Sequence, residues 1–190
     1  MKPMRLAKRE IRETEELRQI LQDCDTVRIG MTDEEGMFIV PVNFGYELSE
    51  EDGARRLRLY IHSAREGRKA EAFAKNPEVA LEMDCGHEVI TGDYTCSYSF
   101  AYRSIMGTGT VQEVTDTEEK IHGLTLLMAH TEPEAAVRFL PEMLDRVGVY
   151  RIDVREFTGK QREKHNKFLL TKPYRRRYTS CKENDAAVRR

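Results

Sequence analysis

The sequence predicts a mainly β domain with peripheral helices, and three observations lead there. Apolar and polar residues alternate at a period of two in several short runs, the mark of half-buried strands. Asp33-Glu34-Glu35-Gly36 stands between two such runs as a hairpin signal. The elements then follow one another without the regular strand–helix alternation of a parallel α/β fold, so an antiparallel sheet or small barrel is expected.

Taken in order, Leu17, Ile20, Leu21 and Cys24 lie at helical spacing behind a Thr14 cap and predict a helix over 14–24. Val27, Ile29 and Met31 alternate with Arg28 and Gly30 in a strand over 26–32. The hairpin returns the chain through 37–46, where Pro41 marks an edge or a bulge and Gly45 a bend or close approach. A charged loop over 49–56 precedes a strand carrying Leu57, Leu59 and Ile61 on one face and Arg58, Tyr60 and His62 on the other. Ser63-Ala64-Arg65-Glu66 has the pattern of a capping box opening a helix that stops at Asn76-Pro77.

Strands follow over 78–84, with Val79, Leu81 and Met83 inward, and over 98–115, after an irregular stretch at 85–96. Gly107 and Gly109 permit sharp curvature in the longer one. Asp116 and Glu119 cap a helix striped by Ile121, Leu124 and Met128. Pro133 opens a further helix with Val137, Leu140 and Leu144, divided near Pro141, and a last strand covers 147–154.

The 190 residues make one domain of ordinary size, here 1–159, followed by a tail over 160–190. That tail carries 11 Lys/Arg against 3 Asp/Glu, while the rest carries 20 against 30, so a net charge of −2 hides an acidic body and a basic arm. The start is charged and lacks the apolar segment of a signal peptide, and no apolar run approaches the roughly 18 residues of a membrane span. Cys24, Cys85, Cys96 and Cys181 show no framework spacing and read as reduced thiols, which suits a cytoplasmic protein.

Nucleotide-binding glycine motifs and the H-E-x-x-H zinc motif are absent. Zinc ligation by Cys85, His87 and Cys96, with Cys24 or Asp84 as fourth ligand, has one of the paired short spacings of a structural site and is weak, so no metal is expected. A reactive thiol pair ranks below it. The richer stretch joins the strand ending at His62 to the helix behind Ser63. Gly67, Arg68 and Lys69 fall in that helix's first turn, where free N–H groups, the helix dipole and two cations suit an anionic phosphate. A capped surface helix with two solvated bases is the plainer alternative, and for His62 it is a half-exposed ring bonded to backbone. Residues 97–104 are aromatic beside Arg103, suited to stacking a planar ligand or to a core.

Four segments together, Val40-Pro-Val-Asn-Phe-Gly-Tyr46, Leu59-Tyr-Ile-His-Ser-Ala-Arg-Glu-Gly-Arg-Lys69, Asn76-Pro77 and Cys96-Ser-Tyr98 with Tyr102-Arg-Ser-Ile-Met-Gly-Thr-Gly109, occur in an order and spacing that resemble a known family. It is the FMN-binding split-barrel family related to pyridoxamine 5′-phosphate oxidase, in its nitroimidazole-resistance, nitroreductase-like subgroup. The resemblance spans roughly residues 10–159 and implies a six-stranded antiparallel split β-barrel, a homodimer, and one FMN at each end of the dimer interface.

By that resemblance Pro41, Val42, Asn43 and Phe44 run along the isoalloxazine edge, with backbone contacting the ring. His62, Ser63 and Ala64 line the ribityl chain and phosphate, and Arg68 and Lys69 pair with the phosphate. Arg103 and Ser104 are expected near the flavin, from the same subunit or the second. The oxidase proper has further bases that grip its substrate phosphate, and that set is not found here.

The implied activity passes electrons from NAD(P)H through FMN to a small electron-poor acceptor such as a nitro-aromatic, with His62 as candidate proton donor. A flavin- or haem-binding carrier or sensor without catalysis is the alternative. Nucleic-acid or acidic-partner binding through 172–177, KPYRRR, is weighed against a solvated or docked tail, which is favoured.

Overall fold

The computed structural model describes residues 4–164; the KPYRRR segment, His165 and Cys181 lie outside them. Eight strands, all paired antiparallel, form one sheet: β1 (Glu10–Ile11), β2 (Val27–Asp33), β3 (Gly36–Val42), β4 (Gly45–Glu51), β5 (Ala54–Ser63), β6 (Glu78–Ile90), β7 (Ser99–Glu113) and β8 (Gly148–Arg162). The order across it is β3-β2-β6-β7-β8-β5-β4, with β1 added beside β8. Its two edges, β3 and β4, are consecutive in the chain and joined only by Asn43-Phe44. So short a link obliges the sheet to curl until its edges are neighbours, yet β3 and β4 share no ladder. The sheet is therefore open, with eight strands where the resemblance implied a six-stranded split barrel.

The concave side holds the core. Val27, Ile29, Leu57, Leu59, Ile61, Leu81, Met83, Ile105 and Ile152 point inward at alternate positions, as their period requires. Helix α1 (Thr14–Asp23) closes this core with Leu17, Ile20 and Leu21, each fully buried and worth about 1.5–3 kcal/mol by area removed from water. Helix α2 (Arg68–Lys75) adds Ala72 and Phe73. Helix α3 (Thr117–Thr131) lies on the other side, where Tyr60, Val114 and Val149 meet Leu124, Leu126 and Val147. Helix α4 (Pro141–Arg146) is short.

Several expectations change. Glu13, not Thr14, is the N-cap of α1, and the Thr14 hydroxyl instead donates to the Glu50 carboxylate. The charged stretch 49–56 is a hairpin: β4 and β5 pair up to Glu51 and Ala54, and Asp52 and Gly53 turn between them at φ 52° and 75°. Glycine takes such a φ without steric cost, and Asp tolerates it. Ser63 does not cap α2; it pairs with Gly148 inside the sheet, and Gly67 is the N-cap, with no side-chain bond. The 85–96 stretch is strand as far as Ile90, with a bulge between Cys85 and Glu88.

No helix starts at Pro133. Pro141 bars Leu140 from helical backbone, the segment before it is too short to nucleate alone, and α4 begins with Pro141 at its first turn. The Asp116 cap holds, its carboxylate accepting from the Glu119 N–H at 2.8 Å. The last strand runs on past Val154 to Arg162, so Lys160 and Gln161 still pair with Ser104 and Arg103 of β7 across the expected tail boundary.

Candidate functional site

The ends of β3 and β5 and the start of α2 gather one group of the expected residues. Gly45 pairs with Tyr60, which places Asn43-Phe44 level with Ile61-His62 at the close of β5. Asn43 donates through Nδ2 to the Asp25 carbonyl at 2.9 Å, fixing the link from the β2 side. Phe44 is fully buried, backbone included, so exposed Asn43 is the part of this link open to a ligand. Pro41 is exposed on edge strand β3, where its missing N–H disturbs no inner ladder. Val42, half-buried, packs against the core. His62 is exposed opposite Val149, on the face of β5 away from Leu59 and Ile61, as the alternation requires, while Tyr60 on that face is covered by α3.

From Ser63 the chain leaves the sheet through exposed Ala64 and reaches α2 at Gly67. The two bases there differ. Arg68 is fully committed: its Nε and Nη2 donate to the two Asp33 carboxylate oxygens at 2.6 and 3.0 Å, Nη2 lies 3.3 Å from Glu35, and the guanidinium stacks 4.1 Å above Phe38. The Arg68 hydrogen bonds hold the Asp33 carboxyl below its usual range. Lys69 is half-buried and has no ion pair or side-chain hydrogen bond among the described residues. Burial, with nothing opposing it, pushes its ammonium below the usual lysine value.

No side chain caps α2, and its first internal bond runs from the Glu71 N–H to the Gly67 carbonyl at 3.0 Å. An uncapped helix start beside a partly desolvated, unpaired ammonium fits an anion, because each lacks what a phosphate supplies.

Arg103 and Ser104 are not brought to this group. Arg103 pairs across β8 with Gln161, whereas His62 pairs with Val149, some twelve residues of strand away. The two also face opposite sides of β7, as neighbours in a strand must. Arg103 shares the inward side with Ile105 and binds Asp23 at 2.7 Å, while Ser104 shares the outward side with exposed Met106.

No pattern in the sequence singles out His130 from an ordinary helix histidine. From α3 its Nδ1 lies 2.6 Å from the Phe44 carbonyl, and since a carbonyl only accepts, Nδ1 carries the proton. Its ring packs 4.6 Å from Phe44 and edge-on to Tyr46 at 5.3 Å, and its Nε2 is buried without a partner. Thus α3 holds the β3–β4 link by one carbonyl. Replacing His130 with Ala orphans that carbonyl and should cost about 1–3 kcal/mol, read as a lower urea midpoint at unchanged slope. An unaltered midpoint would show that the link needs no such hold.

An open antiparallel sheet with flanking helices and an anion-ready α2 start define the class. The family described as pyridoxamine 5′-phosphate oxidase matches residues 13–161, and the chain belongs to that family. A solved structure of a candidate 5-nitroimidazole antibiotic resistance protein from Bacteroides thetaiotaomicron is 33% identical, with a TM-score of 0.67 over 80% of this chain and 86% of that one. At 18% identity and TM-score 0.69, the FAD and heme binding protein of Mycobacterium smegmatis shares the fold over 82% of this chain and 74% of its own. The flavocytochrome Anf3 of Azotobacter vinelandii does so at 17% and 0.68, over 85% and 72%. No curated protein matches. Among the described residues no helix is long and apolar enough to cross a membrane.

Proposed function

We propose that this chain is an FMN-dependent oxidoreductase of the split-barrel type, taking electrons from NAD(P)H and passing them to a small electron-poor acceptor such as a nitro-aromatic. The observation that carries the reading is Lys69, an unpaired, partly buried cation at the uncapped start of α2. Family membership and the likeness to a candidate nitroimidazole-resistance protein support it. When bound, the flavin supplies the hydride and electron chemistry. Lys69 and the α2 N–H groups hold its phosphate. Arg68, already neutralised, instead fastens α2 to the β2–β3 turn and keeps that anion site in place. The Asn43-Phe44 link, held by Asp25 and His130, borders the ring.

His62 stands free of side-chain partners among the described residues, so its imidazole can give a proton to an acceptor. Being exposed, it competes with water as donor, so His62→Ala should lower kcat for a nitroimidazole roughly tenfold and leave FMN affinity within about twofold. Steady-state rates beside an FMN titration test this; an unchanged kcat removes the role.

The partner is a second copy of the chain. Met37, Ile39, Met106 and Phe100 are exposed apolar residues on the sheet, with Met37 89% exposed. Pro41 and Ser104 share the outward side with Met106, so a second subunit seated there brings its Ser104 toward the flavin edge. Arg103, held by Asp23, reaches a flavin only by leaving that bond.

Adding FMN and haem separately to the full chain, desalting, and recording absorbance tests the central claim. Retained flavin near one per chain supports it. Retained haem without flavin moves the reading to a non-catalytic haem carrier or sensor, for which the fold likeness to haem-binding proteins is the specific support.

A further inference from the structure

Two cysteines far apart in sequence meet at the end of the sheet away from Lys69. Cys24 is the C-cap of α1, 2% exposed, with its N–H bonded to the Ile20 carbonyl at 3.0 Å. Cys85 is half-buried on β6 at the last paired position before the bulge, directly opposite Arg103 of β7. Arg103 in turn binds Asp23, the residue before Cys24, at 2.7 Å. The Asp23–Arg103 pair thereby ties the end of α1 to the strand pair that carries Cys85, Cys85 packs on the core cluster that holds Cys24, and each thiol lies close enough to act on the other's ionisation. They are chemically unequal. The neighbouring Cys24 favours the Cys85 thiolate against the cost of its burial, and the Arg103 charge adds to that while Asp23 and Asp84 oppose it. Cys24 is held protonated by the neighbouring Cys85 and by its own burial.

We propose that Cys24 and Cys85 form a peroxide-sensitive dithiol, with Cys85 as the attacking and Cys24 as the resolving thiol. The Cys85 thiolate displaces hydroxide from hydrogen peroxide; that hydroxide takes up a proton and leaves as water, and Cys85 becomes a sulfenic acid. The Cys24 thiol then attacks the Cys85 sulfur, its proton leaves with the hydroxyl as a second water, and the disulfide forms. Two thiols are oxidised by two electrons and one peroxide is reduced to two waters. The bulge after Cys85, with Gly86 at a φ of 68°, is where the backbone accommodates the shorter sulfur–sulfur separation. The bond staples α1 to β6 and needs no flavin.

The test uses the full-length reduced chain, treated with stoichiometric hydrogen peroxide, blocked with iodoacetamide, digested and weighed. The expected product is a peptide pair joining Cys24 to Cys85, lighter than its two thiol peptides by two hydrogen atoms and separated again by dithiothreitol, while Cys96 and Cys181 remain alkylated. In a Cys24→Ser variant, Cys85 should be trapped as a sulfenic acid by dimedone, and Cys85→Ser should leave Cys24 unoxidised. Full alkylation of both cysteines after peroxide would overturn the proposal. So would oxidation of Cys96 ahead of Cys85, or loss of Cys85 to a sulfinic acid with no link to Cys24. The mapping on unsubstituted chain stands even if Cys24→Ser fails to fold.

Discussion

Lys69→Ala should weaken FMN binding by roughly 30- to 150-fold, the loss expected when a charge-assisted bond worth about 2–3 kcal/mol disappears. Lys69 is the cation at the start of α2 without a carboxylate, so no neighbour replaces it; Arg68→Ala should cost less affinity and more stability, because its charge already serves Asp33 and Glu35. The pH dependence has a definite sign. Burial lowers the ammonium's pKa in the free protein, and a bound phosphate raises it again, so binding takes up a proton between those two values. Affinity is therefore full at neutral pH and falls as pH rises through the free protein's value, beginning below the ordinary lysine range. Fluorescence titration of FMN across alkaline pH, run on the unsubstituted chain and Lys69→Ala, reads both effects. A variant that binds as tightly, or an unsubstituted chain whose excess affinity persists above the lysine range, would place the phosphate elsewhere.

What the sequence disclosed about the fold follows from which forces are local. Alternation within β2, β5 and β6 told which side chains enter the core, because a strand with one buried face repeats every two residues whatever its partners are. The same rule fails where both faces meet water. The β4–β5 hairpin extends past the core, so charges fall on both sides of Ser49 to Arg56, and only Asp52-Gly53 marked the turn. Ser63 shows local and non-local bonding in competition. Its spacing to Glu66 suits a helix cap, but the ladder to Gly148 keeps it in the sheet and moves the helix start to Gly67.

For the site, the placement of His62 at the strand end was legible from parity. The inequality of Arg68 and Lys69 was not, because it depends on Asp33 arriving from a hairpin thirty-five residues away. His130 was invisible for the same reason: its partner, the Phe44 carbonyl, is backbone eighty-six residues earlier and leaves no trace in the side-chain pattern. The divergence of Arg103 and Ser104, by contrast, needed only the two-residue period of the strand that holds them.

Gly45→Ala should be among the most damaging single methyl additions in the chain, costing about 3 kcal/mol or more. A Cβ there would lie 2.4 Å from the Leu127 nitrogen and 2.5 Å from the Leu126 carbonyl carbon, both backbone atoms of α3, which no rotamer change can move aside. The helix must retreat. Its other close approach is equally tight, since Gly123 already meets the Tyr60 ring where a Cβ would lie 2.5 Å from Cδ1, so sliding α3 along the sheet meets that ring. Retreat instead lengthens the His130 bond to Phe44 and frees the link between β3 and β4, the segment assigned to the flavin edge. Stability and flavin affinity should therefore fall together. Gly30→Ala is the control: its Cβ would meet Ala80 at 3.6 Å, an ordinary contact, so both quantities should stay close to those of the unsubstituted chain. Urea unfolding and FMN titration of the two variants decide the matter. If Gly45→Ala unfolds at the same midpoint as Gly30→Ala, α3 is not seated on the link; if only its stability falls, the link is not the flavin edge.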